Sequence, residues 1–212
     1  KGDLQYQKSL IEKFNIIKKQ TSFMTCPHLM ALLSMKFKPD ESFNFLDFGG
    51  EKIDFYLILK KNFKNVKYSL YNQKSINEPF HKIKYEFNFD ELHVIDSFEE
   101  VLKKDYDFVN FGSCVQYLSN YEEVLKKISK NTKCIFFSGT HLFDSDNQNY
   151  HKYMIVKQVN VLPQENYLYF FNRINFFKIF TENEYQLAFE NKNLTDKVNY
   201  DNFKDHLSNI SY

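Results

Sequence analysis

The chain has 212 residues and a formal net charge of +1 at pH 7. That length predicts one domain, or one domain with an appendage, that is large enough to bury its own core. A net charge this close to zero gives no indication of the basic surface that nucleic-acid binding requires. No stretch approaches the ~20 apolar residues of a membrane-spanning helix, and no signal-peptide pattern is visible. We therefore expect no nucleic-acid partner, no membrane span and a cytoplasmic location.

Neither cysteine nor histidine spacing indicates a disulfide framework or a metal site. The three cysteines are far apart and include no Cys-x-x-Cys pair, which is typical of reduced apolar side chains in an intracellular protein. His141, Asp144, Asp146 and His151 are close in sequence but lack the spacing of zinc ligands. We expect no bound metal.

Two helices are predicted ahead of the first strand. Residues 4–19 have apolar side chains at helical spacing. A second helix is predicted to carry Pro27 in its first turn and to end near Phe37. We expect residues 1–40 to form an N-terminal helical cap in front of an α/β domain at 41–212.

From residue 43 onward the pattern alternates between strands and helices. Ser97 is a plausible N-cap, since Glu100 follows it at the spacing of a capping box. Apolar strands that alternate with helices predict a Rossmann-like α/β fold, with a mostly parallel central sheet and helices on both faces. The predicted strands are 43–48, 66–71, 92–95, 107–111 and 134–138. The predicted helices are 52–62, 97–104 and 121–129, with a short helix or loop at 75–81 and an extended segment at 83–89.

The alternation stops after Gly139. A long polar insertion at about 140–166 is predicted to act as a lid, because long loops of this kind are usually functional or disordered. An aromatic strand is expected at 167–171, a helix at 173–180 and an antiparallel edge strand at 185–190.

Glycine is rare in this chain, and it is concentrated where predicted strands end. Four of the five glycines follow apolar runs: Gly49, Gly50, Gly112 and Gly139. Glycine lets backbone N–H groups approach a ligand, and open α/β sheets bind ligands at the carboxyl ends of their strands. A tight strand-to-helix turn would explain the first pair equally well.

Two nucleotide-binding motifs are absent from the sequence. It contains no Gly-x-x-x-x-Gly-Lys-Ser/Thr phosphate loop. It contains no Gly-x-Gly-x-x-Gly dinucleotide motif either, because Glu51 and Ile53 occupy the later positions. Among nucleotide-like ligands, the sequence therefore still allows a nucleoside without a pyrophosphate.

Residues 44–50 (Asn-Phe-Leu-Asp-Phe-Gly-Gly) and the elements behind them resemble the class I S-adenosylmethionine-dependent methyltransferases. Four further stretches resemble a bacterial group of methyltransferase-like proteins that is associated with surface-polysaccharide synthesis. They are 68–73 (Tyr-Ser-Leu-Tyr-Asn-Gln), 106–118 (Tyr-Asp-Phe-Val-Asn-Phe-Gly-Ser-Cys-Val-Gln-Tyr-Leu), 156–159 (Val-Lys-Gln-Val) and 169–172 (Tyr-Phe-Phe-Asn). The resemblance covers about residues 43–190 and is most specific at 112–118.

The resemblance implies S-adenosylmethionine as cofactor and a set of residues that bind it. Asp47, Gly49 and Gly50 would line its methionine end, Asp96 and Ser97 would face the adenine, and Gly112, Ser113 and Gln116 would lie beside the sulfonium and the substrate. This chain departs from the pattern twice. Glu51 stands where a further glycine is usual, and Asn72 stands where an acid binds both ribose hydroxyls. An amide offers a weaker, uncharged acceptor.

Methyl transfer depends mainly on positioning, and a general base helps when the acceptor is an alcohol or a protonated amine. His141, directly after the strand at 134–138, is the best-placed base, although an exposed loop histidine would look the same. Gln116 and Tyr117 are candidates for the catalytic site, and equally for a helix start. The residues expected to bind substrate are Tyr150, His151 and Arg173, of which Arg173 would fork a carboxylate or phosphate unless it is a surface arginine.

Two hypotheses follow. The first is an S-adenosylmethionine-dependent methyltransferase that acts on a small-molecule or sugar-linked acceptor of the sugar-nucleotide type. The second is a catalytically inactive methyltransferase-like subunit that serves as a binding or partner protein, which Glu51 and Asn72 favour. The sequence is compatible with a homodimer and with a heteromeric partner.

Overall fold

A computed structural model describes residues 12, 27–144, 152–161, 164–191 and 210–211. The chain divides into two compact units. The first comprises the residues up to Phe111 together with Asn131–Phe136, and the second comprises Gly112–Lys130 and the chain from Phe137 onward. Most of the helix predicted at 4–19 lies outside the described residues. The described part of the predicted cap is Glu12, which is helical, and the residues from 27 onward.

The first unit is built around a five-stranded sheet. Its strand order is β3-β2-β1-β4-β5, and β1 runs parallel to β2 and β4 while β2 runs parallel to β3. The mostly parallel Rossmann-like sheet predicted from the sequence is thereby confirmed. The elements are α1 (Pro27–Lys36), β1 (Phe43–Phe48), α2 (Asp54–Asn62), β2 (Val66–Tyr71), α3 (Lys74–Glu86), β3 (Leu92–Ile95), α4 (Phe98–Val101), β4 (Phe108–Gly112) and β5 (Ile135–Ser138), of which the last residue of β4 and the last two residues of β5 are counted in the second unit.

The central strand β1 has neighbours on both sides, and four of its six residues are apolar. All of its residues except Asn44 are buried. The ring of Phe45 stacks against Tyr68 of β2 and Phe108 of β4, with centroid separations of 5.3 and 5.8 Å. A strand covered on both faces is expected to be a continuous apolar run.

The extended segment predicted at 83–89 is wrong, because α3 continues through it to Glu86. Pro79 lies inside this helix. Phe80 and Ile83 are buried on the same helix face, at a spacing that a strand would not place together. The chain leaves the helical conformation near Asn88, whose φ is 54°.

The second unit contains a smaller mixed sheet of order β7-β8-β6-β9. Strand β7 is antiparallel to β8, whereas β6 is parallel to β8 and antiparallel to β9. Its elements are a 3₁₀ turn (Val115–Tyr117), α5 (Tyr121–Ser129), β6 (Leu142–Phe143), β7 (Tyr153–Val161), β8 (Gln164–Asn172), α6 (Arg173–Thr181) and β9 (Ile210–Ser211). The helices predicted at 121–129 and 173–180 are confirmed, and the strand predicted at 167–171 is the later part of β8.

The predicted lid at 140–166 contains β6, β7 and the first residues of β8, and residues 145–151 lie outside the described ranges. Phe143 of β6 forms a small core with Leu168 and Phe170 of β8, against which Met154 and Val156 pack. The described part of the insertion is therefore a hydrogen-bonded sheet rather than a loop. Its action as a lid stays a prediction.

The edge strand predicted at 185–190 is wrong. These residues form neither helix nor strand. The alternating apolar side chains of Leu187 and Phe189 are 55% and 50% exposed. An extended strand here would therefore gain no stability from burying these two side chains. Within the described ranges, every helix is too short or too polar to cross a lipid bilayer.

The core of the first unit gives a direct test of this packing. Leu59 on α2 is fully buried, whereas Met35 on α1 is 85% exposed. We expect Leu59→Ala to lower the free energy of unfolding by about 2–5 kcal/mol, through lost apolar contact and a cavity. Met35→Ala should change it by less than about 0.5 kcal/mol. Urea unfolding followed by circular dichroism measures both, and equal effects would contradict the assigned core.

Candidate functional site

Asp47, at the end of β1, belongs to a buried polar cluster. Its side chain is only 2% exposed. Its Oδ2 accepts a hydrogen bond from the hydroxyl of Tyr68 at 2.7 Å, and its Oδ1 accepts one from Nδ2 of Asn110 at 2.8 Å. Burial raises the pKa of Asp47 from 3.8 to about 6, although both hydrogen bonds act in the opposite direction. The cluster joins β1 to its two neighbouring strands, and ligand binding by Asp47 itself stays a prediction.

The carboxylate of Asp47 explains why residue 50 is a glycine. A Cβ at this position would lie 2.3 Å from Oδ2 and 2.7 Å from Cγ of Asp47. The carbonyl of Gly50 accepts a hydrogen bond from Nδ2 of Asn72 at 3.0 Å, and the N–H of Gly49 donates to the carbonyl of Tyr71 at 2.7 Å. The loop after β1 is therefore held to the end of β2, and Gly50 has a structural reason that needs no ligand.

Asn72 directly follows β2, at the position where the resemblance implies contact with a ribose. One N–H of its side-chain amide donates to the carbonyl of Gly50. Its Oδ1 accepts a hydrogen bond from the backbone N–H of Gln73 at 2.7 Å. An amide oxygen has two acceptor positions. Asn72 therefore retains one acceptor position and one N–H for a ligand hydroxyl.

Asp96 directly follows β3 and remains accessible, with a side chain that is 49% exposed. Its Oδ1 accepts a hydrogen bond from Nδ2 of Asn77 at 2.9 Å, and Nε2 of His81 lies 3.1 and 3.0 Å from its two oxygens. Burial would raise the pKa of Asp96, but the hydrogen bonds from Asn77 and His81, together with the charges of His81 and Lys74, lower it below its ordinary value. Asp96 therefore offers an ionised acceptor at the end of β3.

Sequence analysis missed Asn77 and His81. Both lie on α3, whose extent was not recognised. The available signal for Asn77 was its spacing. It precedes Phe80 by three positions and Ile83 by six, so a helix places all three residues on one buried face.

Ser97 is confirmed as the N-cap of α4. Its Oγ accepts a hydrogen bond from the N–H of Glu100 at 3.2 Å. Helix α4 ends at Val101, earlier than the predicted 104. Contact between Ser97 and an adenine stays a prediction.

The residues implied beside the sulfonium lie at the start of the second unit, where Gly112 ends β4. Ser113 has a φ of 46° and donates its N–H to the carbonyl of Ser138 at 2.7 Å. Gly139 has a φ of 62°, and a Cβ there would lie 2.2 Å from Oγ of Ser113. Gln116 donates from Nε2 to the carbonyls of Ser113 and Gly139 at 3.0 and 3.2 Å. Gln116 therefore holds together the turns that follow β4 and β5.

The other predicted catalytic and substrate residues have varied surroundings. The ring of His141 stacks on Phe170 with centroids 4.7 Å apart, and burial lowers the pKa of His141 below its usual 6.5. The hydroxyl of Tyr117 donates to Oε1 of Gln158 at 2.8 Å. Tyr150 and His151 lie outside the described residues.

Arg173 is already paired. Its Nε donates to Oε1 of Glu190 at 3.0 Å, and a terminal nitrogen pairs with Oε2 of the same residue. Its guanidinium also lies over the ring of Phe177, 5.4 Å from the centroid. A substrate carboxylate or phosphate would have to displace Glu190, and substrate binding by Arg173 stays a prediction.

Solved structures provide the comparison with known proteins, since no protein-family profile and no curated protein sequence matches this chain. The N-terminal domain of EvdMO1 with SAH (S-adenosylhomocysteine) bound is 12% identical and has a TM-score of 0.54, covering 74% of this chain and 71% of that one. The same domain in the presence of SAH and D-fucose is 13% identical and has a TM-score of 0.55, covering 76% and 73%. Coclaurine N-methyltransferase bound to N-methylheliamine and SAH is 19% identical and has a TM-score of 0.40, covering 56% and 37%.

At these identities the likeness to the EvdMO1 domain shows the fold. This chain has a Rossmann-like methyltransferase fold, with a second, smaller mixed sheet. Which ligand and which reaction the fold serves here has to be argued from the residues of this chain.

The buried carboxylate of Asp47 predicts an unusual dependence of stability on pH. Because the folded-state pKa is raised to about 6 from 3.8, the folded protein takes up this proton at a higher pH than the unfolded chain. The contribution of Asp47 to stability therefore grows as the pH falls through that interval. Measured against Asp47→Asn, the wild type should gain about 2 kcal/mol in free energy of unfolding between about pH 7 and about pH 4.

The substitution to Asn is nearly isosteric and removes the titration, so the difference between the two proteins cancels the contribution of most other groups. Urea unfolding at several pH values measures it. A difference that stays constant, or that changes in the opposite direction, would show that this carboxylate is ionised in the fold without penalty.

Proposed function

We propose that the protein is an S-adenosylmethionine-dependent methyltransferase that acts on a small-molecule or sugar-linked acceptor. One observation carries the proposal. Gly50, Asn72 and Asp96 follow three adjacent parallel strands and belong to one series of hydrogen bonds, in which Asn77 bridges Asn72 to Asp96. The methionine, ribose and adenine parts of S-adenosylmethionine follow one another in the same order.

The residues present suit such a ligand. The half-exposed carboxylate of Asp96 is an acceptor for the amino group of an adenine. The remaining acceptor position of Asn72 suits one ribose hydroxyl. Glu51 is exposed beside the glycine pair, and its charge would attract a cationic sulfonium. S-adenosylmethionine supplies an electrophilic methyl group when bound, and the chain then has to orient an acceptor and accept its proton.

The second unit carries the candidates for chemistry on the acceptor. Burial lowers the pKa of His141, which keeps its ring neutral at physiological pH, the form that a general base requires. Oε1 of Gln116 is buried without a hydrogen-bond partner, while its Nε2 is engaged. It is therefore available to a hydroxyl or amine donor, and it would be costly to leave unpaired.

For the acceptor we propose a sugar-linked compound, such as a sugar nucleotide of surface-polysaccharide synthesis. The support is the resemblance described for 106–118 and the EvdMO1 domain, which was crystallised in the presence of D-fucose.

A catalytically inactive methyltransferase-like subunit that serves as a binding or partner protein is the second candidate. The state of Asn72 favours it, because one N–H of its amide is used by the carbonyl of Gly50 and its oxygen carries no charge. Retained cofactor binding without any turnover would identify this candidate.

Calorimetric titration with S-adenosylmethionine and SAH tests the proposal. We expect micromolar binding by the wild type. Asp96→Ala should weaken it about 10- to 100-fold, the effect of losing one charge-assisted hydrogen bond. Asp90→Ala is the matched control, since this exposed acid precedes β3 instead of following it. Its affinity should equal that of the wild type.

Turnover is measured separately, with isotopically labelled cofactor and a panel of sugar nucleotides and small alcohols and amines. Labelled product supports the enzyme, and binding without product supports the inactive subunit. No binding at millimolar cofactor would refute the enzyme and leave the inactive subunit that serves as a partner protein.

A further inference from the structure

Asn77 is a polar side chain with no exposed surface. Its neighbours on the same face of α3, Phe80 and Ile83, are buried and apolar. Burying an amide is unfavourable unless it forms hydrogen bonds, so a polar side chain at this position indicates a specific task.

The amide nitrogen of Asn77 lies within hydrogen-bond distance of three oxygens. They are the carbonyl of Asn72 at 3.2 Å, the carbonyl of Ile95 at 2.8 Å and Oδ1 of Asp96 at 2.9 Å. One of these oxygens follows β2, one ends β3, and one belongs to the side chain that follows β3. A single NH₂ group therefore joins the carboxyl ends of the neighbouring strands β2 and β3.

This connection begins where the sheet stops. The ladder between β2 and β3 ends at the pair Tyr71 and Ile95. Asn72 and Asp96 are the first residues beyond that pair. Asn77 itself is anchored in the first turn of α3, since its N–H donates to the carbonyl of Gln73 at 3.0 Å.

We infer that Asn77 is the positioning residue of the adenosine-binding end of the site. It acts through Asn72 and Asp96, whose positions it sets relative to each other, and it need not touch the ligand. The inference rests on the proposed function. It also explains how Asp96 is oriented: Oδ1 is held by Asn77 from the buried side, so the carboxylate presents a defined edge to an adenine.

The test compares two ligands that differ at the group Asp96 would contact. SAH carries a 6-amino group that donates to a carboxylate, whereas S-inosylhomocysteine carries a 6-oxo group that repels one. We expect the wild type to bind SAH at least tenfold more tightly than the inosyl analogue. In Asn77→Ala the affinity for SAH should fall at least tenfold, and the preference between the two ligands should shrink towards one.

The control is Asn44→Ala. The amide of Asn44 also donates to a backbone carbonyl, that of Asp105 at 3.0 Å, but it lies near the amino end of β1. Its removal should lower stability without changing the preference between the ligands. A purely structural role for Asn77 would likewise leave that preference intact in the folded fraction.

The outcomes separate this inference from the proposed function. If the wild type binds SAH and Asn77→Ala keeps the wild-type preference, the inference is overturned and the proposed function stands. If the wild type binds neither ligand, both are overturned. Should Asn77→Ala not fold, Asn77→Ser retains one donor and should show an intermediate preference, and a wild-type preference in that variant would overturn the inference.

Discussion

The side chain of Asp47 sets the shape of the chain at the end of the central strand. It is held by donors from β2 and β4, and it fills the space that a Cβ of residue 50 would need. The loop must therefore pass over this carboxylate as bare backbone. Once it does, the carbonyl of Gly50 meets the amide of Asn72, and the end of β1 is joined to the end of β2. The buried acid is thus a structural element whatever ligand the site holds.

Side-chain amides continue this arrangement beyond the backbone ladder. Asn72 holds Gly50, and Asn77 holds both Asn72 and Asp96. These contacts explain why residue 72 is an asparagine, because an amide can donate to the carbonyl of Gly50 and a carboxylate cannot. An aspartate there would instead place two acceptors face to face. The asparagine therefore fixes the loop, which an aspartate at this position would not do.

Much of the fold was predictable from the sequence, for a physical reason. Strands β1, β2 and β3 have the predicted bounds because each is rich in large apolar side chains and is followed by a polar or glycine residue. The segments 83–89 and 185–190 were mispredicted because both alternate in polarity, and alternation alone does not say whether a partner strand exists. In the first segment Ile83 is buried and Tyr85 is exposed, which fits a helix and not a strand with one buried face. In the second segment Leu187 and Phe189 are exposed, and the chain is irregular.

The candidate site was predictable only in part. The acids and glycines at the strand ends were identified because their residue types stand out at the edge of an apolar run. Asn77 and His81 were missed, since an error in the extent of α3 concealed the face on which they lie. The relation between Asp47 and Gly50 was also hidden, because a close approach of two atoms leaves no trace in composition or spacing.

The central claim is that an adenosyl ligand binds at the carboxyl ends of β1, β2 and β3. Nuclear magnetic resonance of the ¹⁵N-labelled protein during titration with SAH tests it most directly. The account predicts shifts of the amide signals of Gly49, Gly50, Asn72 and Asp96, with none at Asn65, Lys67 and Glu91, which line a surface pocket at the amino ends of the same strands. Shifts confined to that pocket, or an unchanged spectrum at millimolar SAH, would contradict it.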